Sequence, residues 1–121
     1  MPAEASPSSP SPTTEIVGWR TRILPGFEEE YARVHSRIPD AVAAALRTAG
    51  VLEWRIWRDG RTLFHVIETT HGRDAMGARM AELGPIDPAW DELIATMLDA
   101  SDDAGALLPL VWGMDAGEQF T

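Results

Sequence analysis

Asp59, Gly60 and Arg61 are all that separate two strand-like runs, Val51 to Arg58 (VLEWRIWR) and Thr62 to Glu68 (TLFHVIE). Both runs are rich in β-branched and aromatic residues, the types that fit a pleated, half-buried surface. An Asp-Gly step between such runs is a hairpin signal, because glycine reaches positive φ without a Cβ clash. Two antiparallel strands are thereby set side by side, and the rest of the chain must build its core around them.

The flanking segments supply that core. Glu15 to Leu24 (EIVGWRTRIL) alternates as a strand does, with Val17, Trp19, Thr21 and Ile23 on one face and Gly18, Arg20 and Arg22 on the other. Pro25-Gly26 ends it. Phe27, Tyr31, Val34, Ile38, Val42, Ala45 and Ala49 then recur at helical spacing up to Gly50, a C-cap residue. Pro39 lacks the N–H that would bond back to the carbonyl of His35, so this helix is expected to kink or split just after His35. A shorter helix fits Asp74 to Leu83. A further helix starts with Asp87 as N-cap and Pro88 at its first position, and carries Trp90, Ile94, Met97 and Leu98 as a stripe. Leu108 to Met114 (LPLVWGM) reads as a last strand.

Strand, helix, strand, strand, helix, strand is the ferredoxin-like βαββαβ plan, an α+β fold with an antiparallel sheet. Helices on one face leave the other face of that sheet to be covered. Arg20 and Arg22 lie on the uncovered side, so two sheets packed face to face in a homodimer are expected to enclose a partly polar cavity. Ahead of the domain, Pro2 to Thr14 is rich in Pro, Ser and Ala and has neither a basic n-region nor an apolar h-region. We expect residues 1–14 to be a disordered tail, not a secretory signal, and residues 15–121 to form one domain.

Composition narrows the function. With 121 residues, 45% hydrophobic and 24% charged, the chain has the make-up of a soluble globular domain, and a cytoplasmic place is expected. The net charge of -9 disfavours nucleic acid and anionic membranes as partners. There is no cysteine, hence neither disulfides nor thiolate chemistry. No apolar run approaches the ~18 residues of a membrane span. His65, Glu68 and His71 look like a metal triplet, but His65 and Glu68 fall on opposite faces of one strand, and no metal or other cofactor is expected. No phosphate-cradling glycine loop precedes a helix, and the serines cluster in the tail, away from any histidine.

What remains is Tyr31 and His35, one above the other on a helix face. A lone histidine on an apolar helix is often a core or boundary residue with one hydrogen bond. It is also the side chain best suited to give and take protons near neutral pH, and the negative end of the helix dipole would favour its charged form. Tyr31 could be half-buried core, or could share a ligand with His35. The five tryptophans, Trp19, Trp54, Trp57, Trp90 and Trp112, are mostly expected in the core, although flat rings with an N–H also suit a sugar.

On EEYARVHSRI, Gly50, EWRIWRDG, LFHVIE, PAWDELIATM and LPLVW, over roughly residues 16 to 114, the chain resembles the L-rhamnose mutarotase family. The resemblance implies a dimeric α+β barrel that interconverts the α and β anomers of a free sugar without a cofactor. It places the general acid/base on His35, with Tyr31 assisting, and substrate-contacting aromatics on Tyr31, Trp54 and Trp90. Pro39-Asp40 stands where many members have Trp-Pro, and Ala89-Trp90 where some carry two tryptophans. Arg22 is added as a substrate contact on strand parity alone. Two other classes stay open: a dimeric-barrel monooxygenase or haem-handling protein, and a sugar- or metabolite-binding module that does no chemistry.

Overall fold

The computed structural model describes residues 14–100 and 107–121. In chain order the elements are β1 (Thr14–Arg22), α1 (Glu28–Val34), α2 (Asp40–Ala49), β2 (Val51–Asp59), β3 (Thr62–Thr70), α3 (Arg73–Leu83), α4 (Pro88–Met97), β4 (Gly113–Asp115) and β5 (Glu118–Phe120). The proposed N-terminal tail lies outside the described residues except for Thr14, which opens β1 opposite Thr70.

The hairpin forms where the Asp-Gly step requires it. Asp59 pairs with Thr62, leaving Gly60 and Arg61 as the loop, and Gly60 takes φ 59°. β3 pairs antiparallel with β2 on one side and β1 on the other, giving the order β1-β3-β2. The free edge of β1 is covered from two places. The Leu24 N–H bonds the Met97 carbonyl at 2.9 Å and the Asp99 N–H bonds the Arg22 carbonyl at 2.8 Å, while Leu107 bridges Trp19 and the Leu108 N–H reaches the Gly18 carbonyl at 2.7 Å. The C-terminal segment thus takes the fourth place beside β1, and the fold is ferredoxin-like α+β.

The expected last strand over 108–114 is not continuous. Pro109 has no N–H for the ladder, so pairing with β1 stops after Leu108. Regular pairing resumes only at β4, which turns back on β5 in a hairpin that the sequence reading missed.

The long first helix splits as Pro39 demands. α1 ends at Val34 with His35 as its C-cap, and α2 starts at Asp40. Gly50 closes α2 at φ 111° and carries its chain against Thr70, where a Cβ would stand 3.2 Å from the Thr70 carbonyl oxygen. Asp87 caps α4 by accepting from the Trp90 N–H at 3.0 Å. Between helices and sheet, Ile23, Tyr31, Leu63 and Met97 form the buried cluster, with Val34, Ile56, Ile94 and Leu98 against it. Most tryptophans are not core, against expectation: Trp19 is buried, whereas Trp57 and Trp112 are 54% and 52% exposed. Trp57 points to the sheet face that no helix covers, and Trp112 follows the interrupted strand.

Ile67, fully buried at the centre of β3, tests this core. Ile67→Ala should lower the unfolding free energy by about 2–5 kcal/mol and Ile67→Val by about 0.5–1.5 kcal/mol. Urea unfolding curves for the two variants check the order and size of the losses.

Candidate active site

A cavity of about 610 Å³ opens between the sheet and the helices, within the ~300–1,000 Å³ typical of small-molecule sites. Its walls come from α1 (Tyr31, Ala32), the α1–α2 junction (His35, Ile38), α2 (Val42, Leu46), β2 (Trp54, Ile56, Arg58) and α4 (Trp90, Asp91). An adjoining lobe adds Trp19, Thr21 and His65.

Local geometry explains each placement. Helix spacing stacks the Tyr31 and His35 rings at 4.1 Å between centroids and 20° between planes. Because Pro39 ends the first helix early, His35 sits at the helix terminus and tilts against Trp90 at 5.2 Å and 58°. Strand alternation turns Trp54, Ile56 and Arg58 inward from β2, and Leu63, His65 and Ile67 inward from β3.

Four of the five expected site residues therefore meet: Tyr31, His35, Trp54 and Trp90. Arg22 does not. Its neighbours Thr21 and Ile23 face the helices, so Arg22 belongs to the opposite face, and the cation at the cavity is Arg58. The cavity that these four share lies within a single chain, between the sheet and the helices.

The titratable groups are set apart by burial. Tyr31 is 4% exposed, and desolvation pushes its phenol up to about 12, so it remains a hydrogen-bond donor. His35 is shifted below the ordinary imidazole value, first by burial, with the Tyr31 main-chain carbonyl opposing. The upward shift expected from the helix dipole is thus outweighed by desolvation. His35 Nδ1 is closed to solvent and makes no well-formed hydrogen bond. A neutral imidazole in the wall of an aromatic cavity, beside a protonated phenol, can receive a proton and return it.

His65 escaped the sequence reading as a site residue. It is 6% exposed, stacks on Trp19 at 4.7 Å and 7°, and lies 2.9 Å through Nε2 from Thr21 Oγ1. The signal was present: His65 occupies an inward position of β3, between Leu63 and Ile67. Burial first, and the nearby His35 second, lower its pKa to about 4. Among the described residues no group of three or more His, Cys, Asp or Glu is placed to hold a metal ion.

Residues 17–113 match the L-rhamnose mutarotase family. The chain is similar to an L-rhamnose mutarotase of Verminephrobacter eiseniae, 31% identical over 112 residues that cover 85% of this chain and 99% of that one. It is likewise similar to L-rhamnose mutarotases of Paraburkholderia xenovorans (32% identical; 79% of this chain, 90% of that one) and Burkholderia ambifaria (36% identical; 74% and 85%).

The low value of His65 predicts a pH dependence of stability. The unfolded chain takes up this proton near 6.5 and the folded one only near 4. Folding stability from this group is therefore complete above about pH 6.5 and falls by up to about 1.4 kcal/mol per pH unit down to about 4. Urea unfolding at stepped pH, with the His65 ring followed by NMR, checks it; a ring that titrates near 6.5 in the folded protein refutes the burial argument.

Proposed function

The chain belongs to the L-rhamnose mutarotase family, and we propose that it interconverts the α and β anomers of a free monosaccharide through His35. It is accordingly an isomerase, with a sugar as its substrate. The observation that carries the assignment of residues is the position of the His35 ring in the cavity wall, stacked on Tyr31 and tilted against Trp90.

The reaction asks little else of a protein. Opening a pyranose breaks the bond from the anomeric carbon to the ring oxygen; a proton leaves the anomeric hydroxyl and one arrives on the ring oxygen. Rotation of the freed carbonyl and reclosure on its other face reverse both transfers. His35, neutral at physiological pH, takes the first proton and delivers one in return, while the Tyr31 phenol donates a hydrogen bond to the sugar without ionising. Trp54 and Trp90 offer apolar faces to the C–H side of the ring. The family's L-rhamnose mutarotases make L-rhamnose the first sugar to try, and we assign the protein to the cytoplasm as the place where it would meet a free sugar. Among the described residues no helix is long and apolar enough to cross a membrane.

A homodimer belongs to this reading. The sheet face away from the helices carries Ile16, Trp57, Phe64 and Val66, between 37% and 65% exposed, around Arg20 and Arg55. Exposed apolar side chains set among Arg20, Arg55 and Glu68 make a mixed surface of the kind that a second copy covers. Val66→Asp should convert a dimer to a monomer in sedimentation analysis with little change in helix content; a wild type already monomeric at micromolar concentration refutes the pairing.

His35→Asn should slow anomer exchange about 10²–10⁴-fold, equal to about 2.7–5.4 kcal/mol of barrier. Tyr31→Phe should cost less. The wild-type rate should fall with decreasing pH through a value below the ordinary imidazole range, because protonation removes the base. NMR exchange spectroscopy on L- and D-sugars checks all three, and His35→Asn exchanging at the wild-type rate refutes the assignment.

A further inference from the structure

We propose that His65 and Thr21 form a polar subsite in the cavity wall: His65 holds the Trp54 indole in place and turns the Thr21 hydroxyl hydrogen toward a hydroxyl of the bound monosaccharide. This rests on the mutarotase reading and adds a specificity element to it. The argument starts from a donor that has no choice. An indole N–H can only donate, so the contact of Trp54 Nε1 with His65 Nδ1, at 3.3 Å, makes Nδ1 the acceptor. In the neutral ring the proton then sits on Nε2, 2.9 Å from Thr21 Oγ1, and Thr21 accepts it. A hydroxyl that accepts there keeps its own hydrogen to give, and Thr21 lines the same lobe as Tyr31, His35, Trp54 and Trp90.

The arrangement is held from behind. The His65 ring stacks on Trp19, which also meets Trp54 at 5.6 Å, and the Arg73 guanidinium lies 5.5 Å over the Trp19 ring. With both nitrogens engaged, His65 has none left for proton transfer, so it is a positioning residue. Its neutrality also matters to His35: the two rings line one lobe with Asp91, and an uncharged His65 does not oppose a proton arriving on His35. A donor beside the Trp54 face reads whether a sugar carbon bears an oxygen at that place, the kind of contact that discriminates far better than shape.

The test compares wild type, Thr21→Val, His65→Leu and His65→Gln by NMR anomer exchange at varied sugar concentration, together with the Trp54 indole N–H resonance of the sugar-free protein. Thr21→Val should raise KM about 3- to 10-fold, as loss of one neutral hydrogen bond does, with a smaller effect on kcat. One deoxy sugar in a panel should show no such penalty. His65→Leu should shift the indole resonance and raise KM, and His65→Gln, whose amide can accept and donate, should restore both in part. A residue that merely filled space would give the reverse order, with Leu tolerated and Gln not; that result overturns the proposal, as does an indole resonance unmoved in His65→Leu. A wild type that exchanges no anomers refutes the mutarotase reading and the subsite with it. An active wild type whose KM is unchanged in Thr21→Val and His65→Leu overturns the subsite alone.

Discussion

β3 runs between two partners, and its inward-facing side is the surface on which everything else is assembled. Leu63, His65, Ile67 and Thr69 are all buried there, within a few per cent of complete removal from solvent. Burying an aliphatic side chain contributes about 1.5–3 kcal/mol, so Leu63 and Ile67 together anchor the helices more firmly than any exposed ion pair could. Leu63 packs with Ile23, Tyr31 and Met97, and also lines the cavity. The cavity is thus a gap left beside a packed core, and its walls inherit the rigidity of that core.

Within that gap, one physical effect assigns the roles. Desolvation disfavours charge, so it raises a phenol and lowers an imidazole. Tyr31 is thereby kept as a donor and His65 kept neutral. His35, less enclosed than His65 and lining the larger cavity, is the group left able to cycle between states. The separation comes from depth of burial and the number of hydrogen bonds each ring makes, with no ion pair involved.

The break between α1 and α2 has a similar economy. Pro39 removes one helical hydrogen bond and disfavours helical geometry in the residue before it. Tyr31 stays inside regular helix while His35 becomes its terminus, and Ile38 and Val42 continue the cavity wall on the far side of the break.

The amino-acid sequence by itself determined the hairpin at Gly60, the helix break at Pro39, the caps at Gly50 and Asp87, and the helical spacing that stacks Tyr31 on His35. Each is decided by neighbours a few residues apart, through φ preference, a missing N–H or a side-chain cap. Arg22, His65 and the C-terminal strand were different. Strand parity separated Arg22 from Thr21 but could not say which face held the cavity; that depended on where α1 and α4 pack. His65 was legible as inward-facing, yet its partners, Thr21 and Trp54, lie 44 and 11 residues away, and only the pairing of β3 with both neighbours brings them to it. Pro109 was in plain view, but whether it would meet a ladder depended on the Gly18 carbonyl of a strand at the other end of the chain. Local sterics are written in the sequence, whereas the burial that sets a pKa or completes a site is a sum over residues that only the tertiary structure makes neighbours.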